Sequence, residues 1–515
     1  MGLSDGPRLL YAAAAILLAL VLRSVFSTPV LRRHGVPLRK PADTLPLAGN
    51  GIRFLQARQK LFSWFVRCQD HFGYETYQIA VPTLPPGVVI SDPRNLDFIF
   101  KSEGTLVNKG SFVKGMLWDL FGHGIVNSDG DVWRVQRRAG QSFLNTANIR
   151  VLTDVALPQY LAGTLARLRA LDTTAAVDLQ AVFHELTSCI MGKMAYNMEM
   201  HAEDAFSVAF DRASAATTKR FQNPLWQLTD LLSGSGADLR RQLAIVRAFG
   251  RRIVASAVAD RAAQLDHADN KLDEVSGSLI QSLLEAIPNQ DIVADAALNY
   301  LSAGRDTVAQ GLTWTFYMLT KHPRVVAQIR LEIEQLLASS NNSLTLSALT
   351  PAALPYVMAV FFEGLRLYPP IPFEIKQVET AAGLTLPDGT FLPCGALVLW
   401  CSWAMNRSRQ TWGDDADDFR PERWLVETPH EQARLVGRSP SEFPVFHGGP
   451  RTCLGKKMAE SMAVQIMAAV VWHFDVQPDS SSSPDRVTKT SLTLPMNDGL
   501  PCIVRERAVS MVIAA

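Results

Sequence analysis

The sequence predicts a mainly α protein with a minor β region, folded as one large domain behind a short N-terminal membrane anchor. Its 515 residues contain no long Gly/Ser-rich or Pro-rich linker that would divide them into smaller domains. Residues 95–370 mostly show helical periodicity, whereas the strand-like runs Tyr77–Val81 and Val88–Ser91 lie in a stretch punctuated by prolines. Hydrophobic residues make up 48% of the chain and the formal charge is +1, a composition that indicates a large core and favours neither disorder nor nucleic-acid binding.

The N-terminal segment is the first predicted element. It is apolar and uncharged from Leu9 to Leu22, which is shorter than the roughly 18–20 residues of a spanning helix unless Arg23 reaches the interface. A cleaved signal peptide has a similar apolar region. More basic residues follow the segment than precede it, which favours an uncleaved anchor with the rest of the chain in the cytosol. We therefore expect an anchor over residues 1–28, a basic, proline-rich hinge over 29–50 and the main domain over 51–515.

The longest predicted helix runs from about Asp291 to about Thr320, between Pro288 and Pro323. At this length it spans about 45 Å, enough to cross a domain, so most of its surface is expected to be buried. Its middle nevertheless reads Gly-Arg-Asp-Thr at 304–307. One interpretation is a kink with a solvated polar face. The other is a helix opened locally so that a hydroxyl and a carboxyl face a ligand.

The cysteines lie far apart and form no CxxC pair, so neither a disulfide framework nor a common zinc motif is indicated. Cys453 has distinctive neighbours, because Gly449 and Gly455 flank it and Arg451 supplies a nearby positive charge. A thiolate needs positive surroundings or a metal to persist near neutral pH. Taken alone, a cysteine in a loop is more often an inert small hydrophobic residue. The six cysteines are residues 68, 189, 394, 401, 453 and 502.

The segment around Cys453 reads FHGGPRTCLG at 446–455 and fits F-x-x-G-x-R-x-C-x-G at every fixed position. It resembles the haem-binding loop of the cytochrome P450 family. The resemblance implies haem b as cofactor with Cys453 as the axial thiolate ligand of its iron. It also places the loop residues Phe446, Gly449, Arg451 and Gly455 against the cofactor, in a P450 fold whose long central helix passes over the haem.

Other segments resemble motifs of the same family, in the same order, between about residue 40 and residue 507. Glu363 and Arg366 match E-x-x-R, and Arg423 corresponds to the third member of that structural network. On a helix, the spacing of three residues brings the carboxylate and the guanidinium onto one face. Because the surrounding sequence PYVMAVFFEGLRLYPP is otherwise apolar, the pair is expected to be buried.

The segment AGRDT at 303–307 is similar to the family's oxygen-activation motif, although Val308 stands where the family commonly has Thr or Ser. The resemblance implies that Thr307 lies near bound dioxygen and that Asp306 passes protons to it. Trp133 and Arg137 resemble the W-x-x-x-R helix that holds the haem propionates, and Arg451 is expected to join them. Lys376 stands where relatives often have an arginine that reaches a propionate; a lysine supplies the charge but not the planar fork.

These motifs together imply a monooxygenase that uses O2 and receives electrons from a separate NADPH-dependent flavoprotein reductase, because the chain has no flavin or ferredoxin domain. The expected location is the endoplasmic reticulum membrane, with one N-terminal pass and a cytosolic catalytic domain. A basic patch beside the cysteine loop is a candidate docking surface for the reductase. Its residues are Arg134, Arg137, Arg138, Lys456 and Lys457.

The substrate is expected to be hydrophobic, since the residues that the family fold would bring near the distal pocket are all apolar. The segment at 304–307, with NSDGDVW at 127–133 and SLTLPMNDGL at 491–500, resembles the branch of fatty-acid and alkane hydroxylases. A long-chain, lipid-like substrate is therefore the first hypothesis, and a polyketide or terpenoid of secondary metabolism is the second. A haem-thiolate isomerase or dehydratase and a non-catalytic haem or lipid carrier are the alternatives of other classes. The expected pocket residues are Phe112, Val113, Met116, Leu117, Leu301, Ile371, Phe373 and Leu494.

Overall fold

The computed structural model is mainly helical, with small sheets, as the sequence predicts. It describes residues 5–27, 29–46, 48–81, 84–172, 174–223, 225–262, 275, 277–341, 343–428, 431–508 and 512–514. The helices are α1 (Asp5–Ser27), α2 (Gly51–Phe54), α3 (Arg58–Phe72), α4 (Pro93–Ser102), α5 (Gly110–Phe121), α6 (Gly130–Phe143), α7 (Thr146–Val151), α8 (Leu157–Arg169), α9 (Leu179–Tyr196), α10 (Ala205–Arg220), α11 (Trp226–Leu232), α12 (Gly234–Ala262), α13 (Ser278–Ala286), α14 (Gln290–Lys321), α15 (Pro323–Ala338), α16 (Pro355–Leu367), α17 (Ser402–Met405), α18 (Arg409–Trp412) and α19 (Lys456–His473).

The strands form one larger sheet and several small ones. The larger sheet has the order β3-β4-β11-β8-β5, in which β4 and β11 are parallel and the other pairs are antiparallel. The strands are β1 (Arg32–Arg33), β2 (Val36–Pro37), β3 (Tyr77–Ile79), β4 (Gly87–Val89), β5 (Val107–Asn108), β6 (Ala176–Asp178), β7 (Ser343–Thr345), β8 (Phe373–Val378), β9 (Leu384–Thr385), β10 (Thr390–Leu392), β11 (Leu397–Cys401), β12 (Leu425–Thr428), β13 (Glu431–Leu435), β14 (Phe474–Pro478), β15 (Pro501–Glu506) and β16 (Val512–Ala514).

The N-terminal region consists of α1 and the short hairpin of β1 and β2. Residues 1–4 and Thr28 of the predicted anchor lie outside the described residues. In the part of the chain that the structure describes, no helix combines the length and the apolar character needed to cross a membrane. Within the segment predicted as a hinge, Leu31 and Leu38 are buried and β1 pairs with β10, so these residues pack on the main domain.

The central helix α14 runs through the larger of two apolar cores. It starts where the Asn289 side chain accepts hydrogen bonds from the amides of Asp291 and Ile292, and it ends before Pro323. The α-helix is continuous through residues 303–307, so it is not opened locally, and Arg305 and Asp306 are buried and do not form a solvated polar face. Thr307 instead donates its hydroxyl to the carbonyl of Ala303 at 2.7 Å, a bond that an intact helix accommodates.

Candidate active site

Backbone hydrogen bonds within the cysteine loop fix its conformation. The amide of Cys453 donates to the carbonyl of Phe446 at 2.8 Å, and that of Thr452 donates to Gly449 at 3.1 Å. Gly449 has a φ of +62°, and a Cβ there would collide with the carbonyl of Phe100 on α4. Only glycine combines this backbone conformation with such close packing. The loop therefore presents the side chain that follows it in a fixed position.

The Cys453 thiol is exposed although the protein surrounds it closely. Burial raises the pKa of this thiol, and the Gly455 amide and the Arg137 guanidinium oppose that rise. An exposed sulfur in such surroundings faces a recess in the protein. Since burial favours the neutral thiol, a thiolate at this position needs a bound cation such as a metal to stabilise it.

In the middle of the largely buried helix α14, two residues on one face are accessible. Ala303 is exposed and Thr307 is half-buried, whereas the next residues on the helix, Arg305, Asp306 and Val308, are buried. Residues 303 and 307 lie one above the other on the same helix face. The hydroxyl of Thr307 thus borders a recess that a ligand can enter.

Asp306 points to different surroundings. Its Oδ1 accepts from Nε of Arg305 at 2.6 Å and lies 3.9 Å from Nδ1 of His184 on α9. Arg305 also binds Asp211 on α10 at 3.0 Å. Burial lowers the pKa of His184 to about 4, although Asp306 opposes this, so the imidazole is neutral at pH 7. The predicted acid–alcohol pair is adjacent in sequence, but the structure shows no direct bond between the two side chains.

The residues of the E-x-x-R motif meet at the buried end of α16. Glu363 and Arg366 are fully buried and form two parallel bonds of 2.8 Å, and Nε of Arg423 donates to Glu363 at 2.9 Å. The indole of Trp424 donates to the same carboxylate at 2.9 Å. Trp424 was not among the residues predicted for this network, and its N–H completes it. Such complete pairing is what a buried ion pair requires.

Three of the predicted cofactor-binding residues come together beside the cysteine loop. Arg137 donates to the carbonyl of Thr452 at 2.7 Å, and the guanidinium of Arg451 lies 4.5 Å from the centre of the Trp133 ring. Arg451 also binds Asp129 at 2.5 Å. Burial lowers the pKa of Arg137, and Tyr300 and Cys453 oppose this. This group of cations suits an anionic ligand edge.

Lys376 is placed differently. Its ammonium is buried and lies 3.0 Å from the carboxylate of Glu103. The same carboxylate approaches His447 at 3.2 Å and Arg451 at 3.6 Å. Although burial opposes it, the charge of Lys376 together with His447 lowers the pKa of Glu103 to about 2. The sequence did not predict the role of Glu103, because nothing in the residues around it indicates an ion pair with a lysine so far along the chain.

Comparison with known proteins agrees with this geometry. The family model described as Cytochrome P450 matches residues 39–502. The chain belongs to the cytochrome P450 family. It is similar to Cytochrome P450 94C1 of Arabidopsis thaliana, with 30% identity over 87% of this chain and 90% of the relative. It is also similar to Cytochrome P450 94A1 of Vicia sativa (28% identity, 90% of both chains) and to CYP94D109 of Paris polyphylla (31% identity, 82% of this chain and 86% of the relative).

As a P450, the chain is an oxygenase whose cofactor is haem with a cysteine thiolate ligand, and NADPH serves it only through a reductase. The described residues fit this cofactor. The Cys453 sulfur is exposed within the fold, Ala303 leaves an uncovered spot in a buried helix, and Arg137 lies beside the sulfur. Among the cysteines, Cys68, Cys189, Cys401 and Cys502 are buried, while Cys394 is exposed on the β10–β11 connection.

The predicted pocket residues lie inside the fold, where they are buried or half-buried. Leu301 and Leu494 are completely buried, so they belong to the core in this structure. Phe112 and Phe373 are half-buried and pack against the same core. Apolar side chains therefore surround the recess, as a hydrophobic substrate requires.

Proposed function

We propose that this P450 hydroxylates a long-chain, lipid-like substrate, with Cys453 as the ligand of the haem iron. The observation that carries the proposal is the exposed thiol of Cys453 on a glycine-fixed loop inside the fold. When bound, a thiolate-ligated haem activates dioxygen so that one oxygen atom enters a C–H bond. Two electrons and two protons are consumed, and water is the second product.

The protein residues have separate roles in this proposal. Trp133, Arg137 and Arg451 hold the propionates, and Lys376 acts through Glu103, which lies beside Arg451. Gly449 and Gly455 let the loop approach the cofactor, and Phe446 covers the sulfur side. The propionate roles follow from the cations that lie beside the cysteine loop, and the glycine roles follow from the close packing of that loop.

Thr307 and Asp306 supply protons in this scheme. The Thr307 hydroxyl borders the recess, and a rotation about χ1 frees it from Ala303 to donate to a bound ligand. Arg305, the preceding residue, donates a hydrogen bond to the carboxylate of Asp306. The carboxylate is therefore held close to Thr307 without blocking the recess, and in this scheme it passes protons to the hydroxyl. A positioned donor of this kind is what general acid catalysis needs.

The substrate proposal rests on the apolar surroundings of the recess and on the resemblance of residues 127–133, 304–307 and 491–500 to fatty-acid and alkane hydroxylases. The test expresses the chain with a flavoprotein reductase in microsomes and screens fatty acids, terpenes and aromatic polyketides for Soret shifts and hydroxylated products. Conversion of fatty acids supports the proposal. Conversion of only terpenes or polyketides contradicts it and favours the second hypothesis, a substrate of secondary metabolism. Substrate turnover without NADPH-dependent oxygen uptake indicates an isomerase instead.

The cofactor assignment has its own test. Cys453→Ala is expected to abolish the strongly red-shifted Soret band of the reduced carbon monoxide complex, because only a thiolate ligand produces it. Cys394→Ala is the matched control, since that cysteine is exposed but lies away from the loop. A wild-type chain with an imidazole-type spectrum contradicts the assignment.

We also propose that α1 anchors the chain in the endoplasmic reticulum membrane, with residues 51–515 in the cytosol. Tyr11, Ile16, Leu17, Leu18 and Leu20 are all more than half exposed, which is a large apolar surface to leave in water. Removal of residues 1–28 is expected to shift the protein from the carbonate-resistant membrane fraction to the supernatant. Full-length protein that carbonate extracts completely contradicts the anchor.

A further inference from the structure

One buried arginine lacks the partner that the others have. Among the described residues, the buried arginines are Arg58, Arg220, Arg305, Arg366 and Arg423. The last four each form an ion pair with a carboxylate of the protein. No carboxylate of the described residues lies within ion-pair distance of Arg58, which is only 8% exposed. A buried cation without an anion costs free energy unless a ligand supplies the charge.

The guanidinium of Arg58 also has an unused face. Its Nη1 donates to the carbonyl of Ser491, whereas its Nε is buried and has no acceptor. No hydrogen bond joins Nη2 to a described residue. The Nε–Nη2 edge is the one with which arginine binds a carboxylate in two parallel hydrogen bonds. That edge is therefore available for an anion.

Burial lowers the pKa of Arg58 to about 10, and the thiol of Cys401 opposes this. The guanidinium is thus still protonated at pH 7. The rings of Phe62 and Phe373 lie 5.5 and 5.9 Å from it, so two aromatic side chains flank the guanidinium. An anion bound here would be shielded from water.

Arg58 lies beside one of the residues expected to line the substrate pocket, since its guanidinium is 5.9 Å from the ring of Phe373. It is the first residue of α3, and Ser491, its partner, also bonds Ser214 on α10 at 2.9 Å. Phe373 begins β8, is half-buried and was expected to line the pocket. Helix α3 therefore meets Ser491 at this guanidinium, and Ser491 in turn joins helix α10.

We propose that Arg58 binds the carboxylate of a long-chain acid substrate and thereby selects free acids over esters, alcohols and alkanes; this rests on the proposed lipid hydroxylase function. The carboxylate supplies the missing counter-ion, and the alkyl chain extends from Phe373 into the apolar recess. Holding one end of the chain also restricts which carbons reach the reaction position.

The test measures binding to the full-length, haem-loaded protein by the Soret shift at pH 8, with dodecanoic acid, methyl dodecanoate and dodecan-1-ol. Arg58→Gln and Arg58→Leu are expected to raise the Kd of the acid about tenfold or more and to change that of the ester and alcohol less than about twofold. Arg58→Lys is expected to retain part of the preference for the acid. Arg67→Leu is the control, because Arg67 is exposed on the same helix. The carbon monoxide spectrum of each variant verifies its fold.

Four results overturn the inference. If the Arg58 variants bind the acid and the ester more weakly by the same factor, Arg58 only supports Ser491 and the fold. If the Kd of neither ligand changes, the carboxylate binds elsewhere. Wild-type protein that binds the ester and the alcohol but not the acid contradicts Arg58 while the lipid proposal stands. Wild-type protein that binds none of the three overturns the lipid proposal together with this inference.

Discussion

Neighbouring residues of α14 meet different surroundings because each position turns the helix by about 100°. Thr307 shares its face with the exposed Ala303, while Asp306 is turned toward Arg305 and His184. The hydroxyl can therefore touch a ligand, whereas the carboxylate lies behind the helix surface. In the proposed mechanism, this division makes the hydroxyl the last proton donor.

Thr307→Ala is expected to leave the thiolate-type carbon monoxide spectrum unchanged and to lower the yield of product per NADPH about tenfold or more, with peroxide released instead. The matched control is Thr313→Ala, because Thr313 makes the same bond to the carbonyl four residues before it but is completely buried. Product yield and peroxide are measured together with NADPH consumption. Full coupling in Thr307→Ala would mean that the hydroxyl delivers no proton.

His184 makes the stability of this region depend on pH. Its pKa is lowered from 6.5 to about 4 by burial, so between these values the unfolded chain takes up a proton that the folded chain does not. Folding is therefore weakened as the pH falls from about 6.5 to about 4, by on the order of 2–3 kcal/mol for this group alone. Urea unfolding at pH 7 and pH 5 should show a larger loss in wild type than in His184→Gln. Equal losses would show that the imidazole is not buried in the neutral form.

At the scale of elements, the sequence predicted those features whose signals lie close together. Asn289 and Pro323 bracket α14, and its ends were predicted to within one or two residues. The cysteine loop was predicted because its fixed positions span ten residues. The pairing of Lys376 with Glu103 was not predicted, because two residues far apart in sequence give no local signal of an ion pair. The absence of a carboxylate beside Arg58 was not predicted for the same reason, since it depends on which residues the fold brings near the guanidinium.

Gly364 lies inside the E-x-x-R motif because α16 packs directly on α14 there. A Cβ at this position would collide with Oγ1 of Thr315 and lie 3.0 Å from its Cβ, and that hydroxyl is fixed by its bond to Gly311. Gly364→Ala is expected to destabilise the protein by about 2 kcal/mol despite the better helix propensity of alanine. Gly163→Ala, on α8 with open space around it, should be neutral or gain up to about 1 kcal/mol. Chemical denaturation compares them, and effects of the same sign would contradict this packing argument.

Across the whole molecule, α6 and α19 converge on the cysteine loop. Arg137 ties α6 to Thr452, and α19 starts three residues after Cys453. The exposed cations Arg138 and Lys457 therefore lie near the sulfur side of the site. An electron donor that docks there reaches the cofactor by a short path through the loop, and an acidic donor surface is attracted to these charges.

The position of Lys456 and Lys457 provides the test of this docking surface. They are exposed in the first turn of α19, where a positive charge opposes the helix dipole, and Lys456 lies 3.8 Å from Glu460 one turn along the helix. Reversing both to glutamate should leave the folded, thiolate-type spectrum intact. The KM for the reductase should rise about tenfold at low ionic strength, and the difference should shrink as salt increases. The control reverses Lys60 and Arg67, exposed on α3, and so makes the same charge change elsewhere. Equal effects of the two double variants would mean that only net charge matters and that the reductase does not dock at α19.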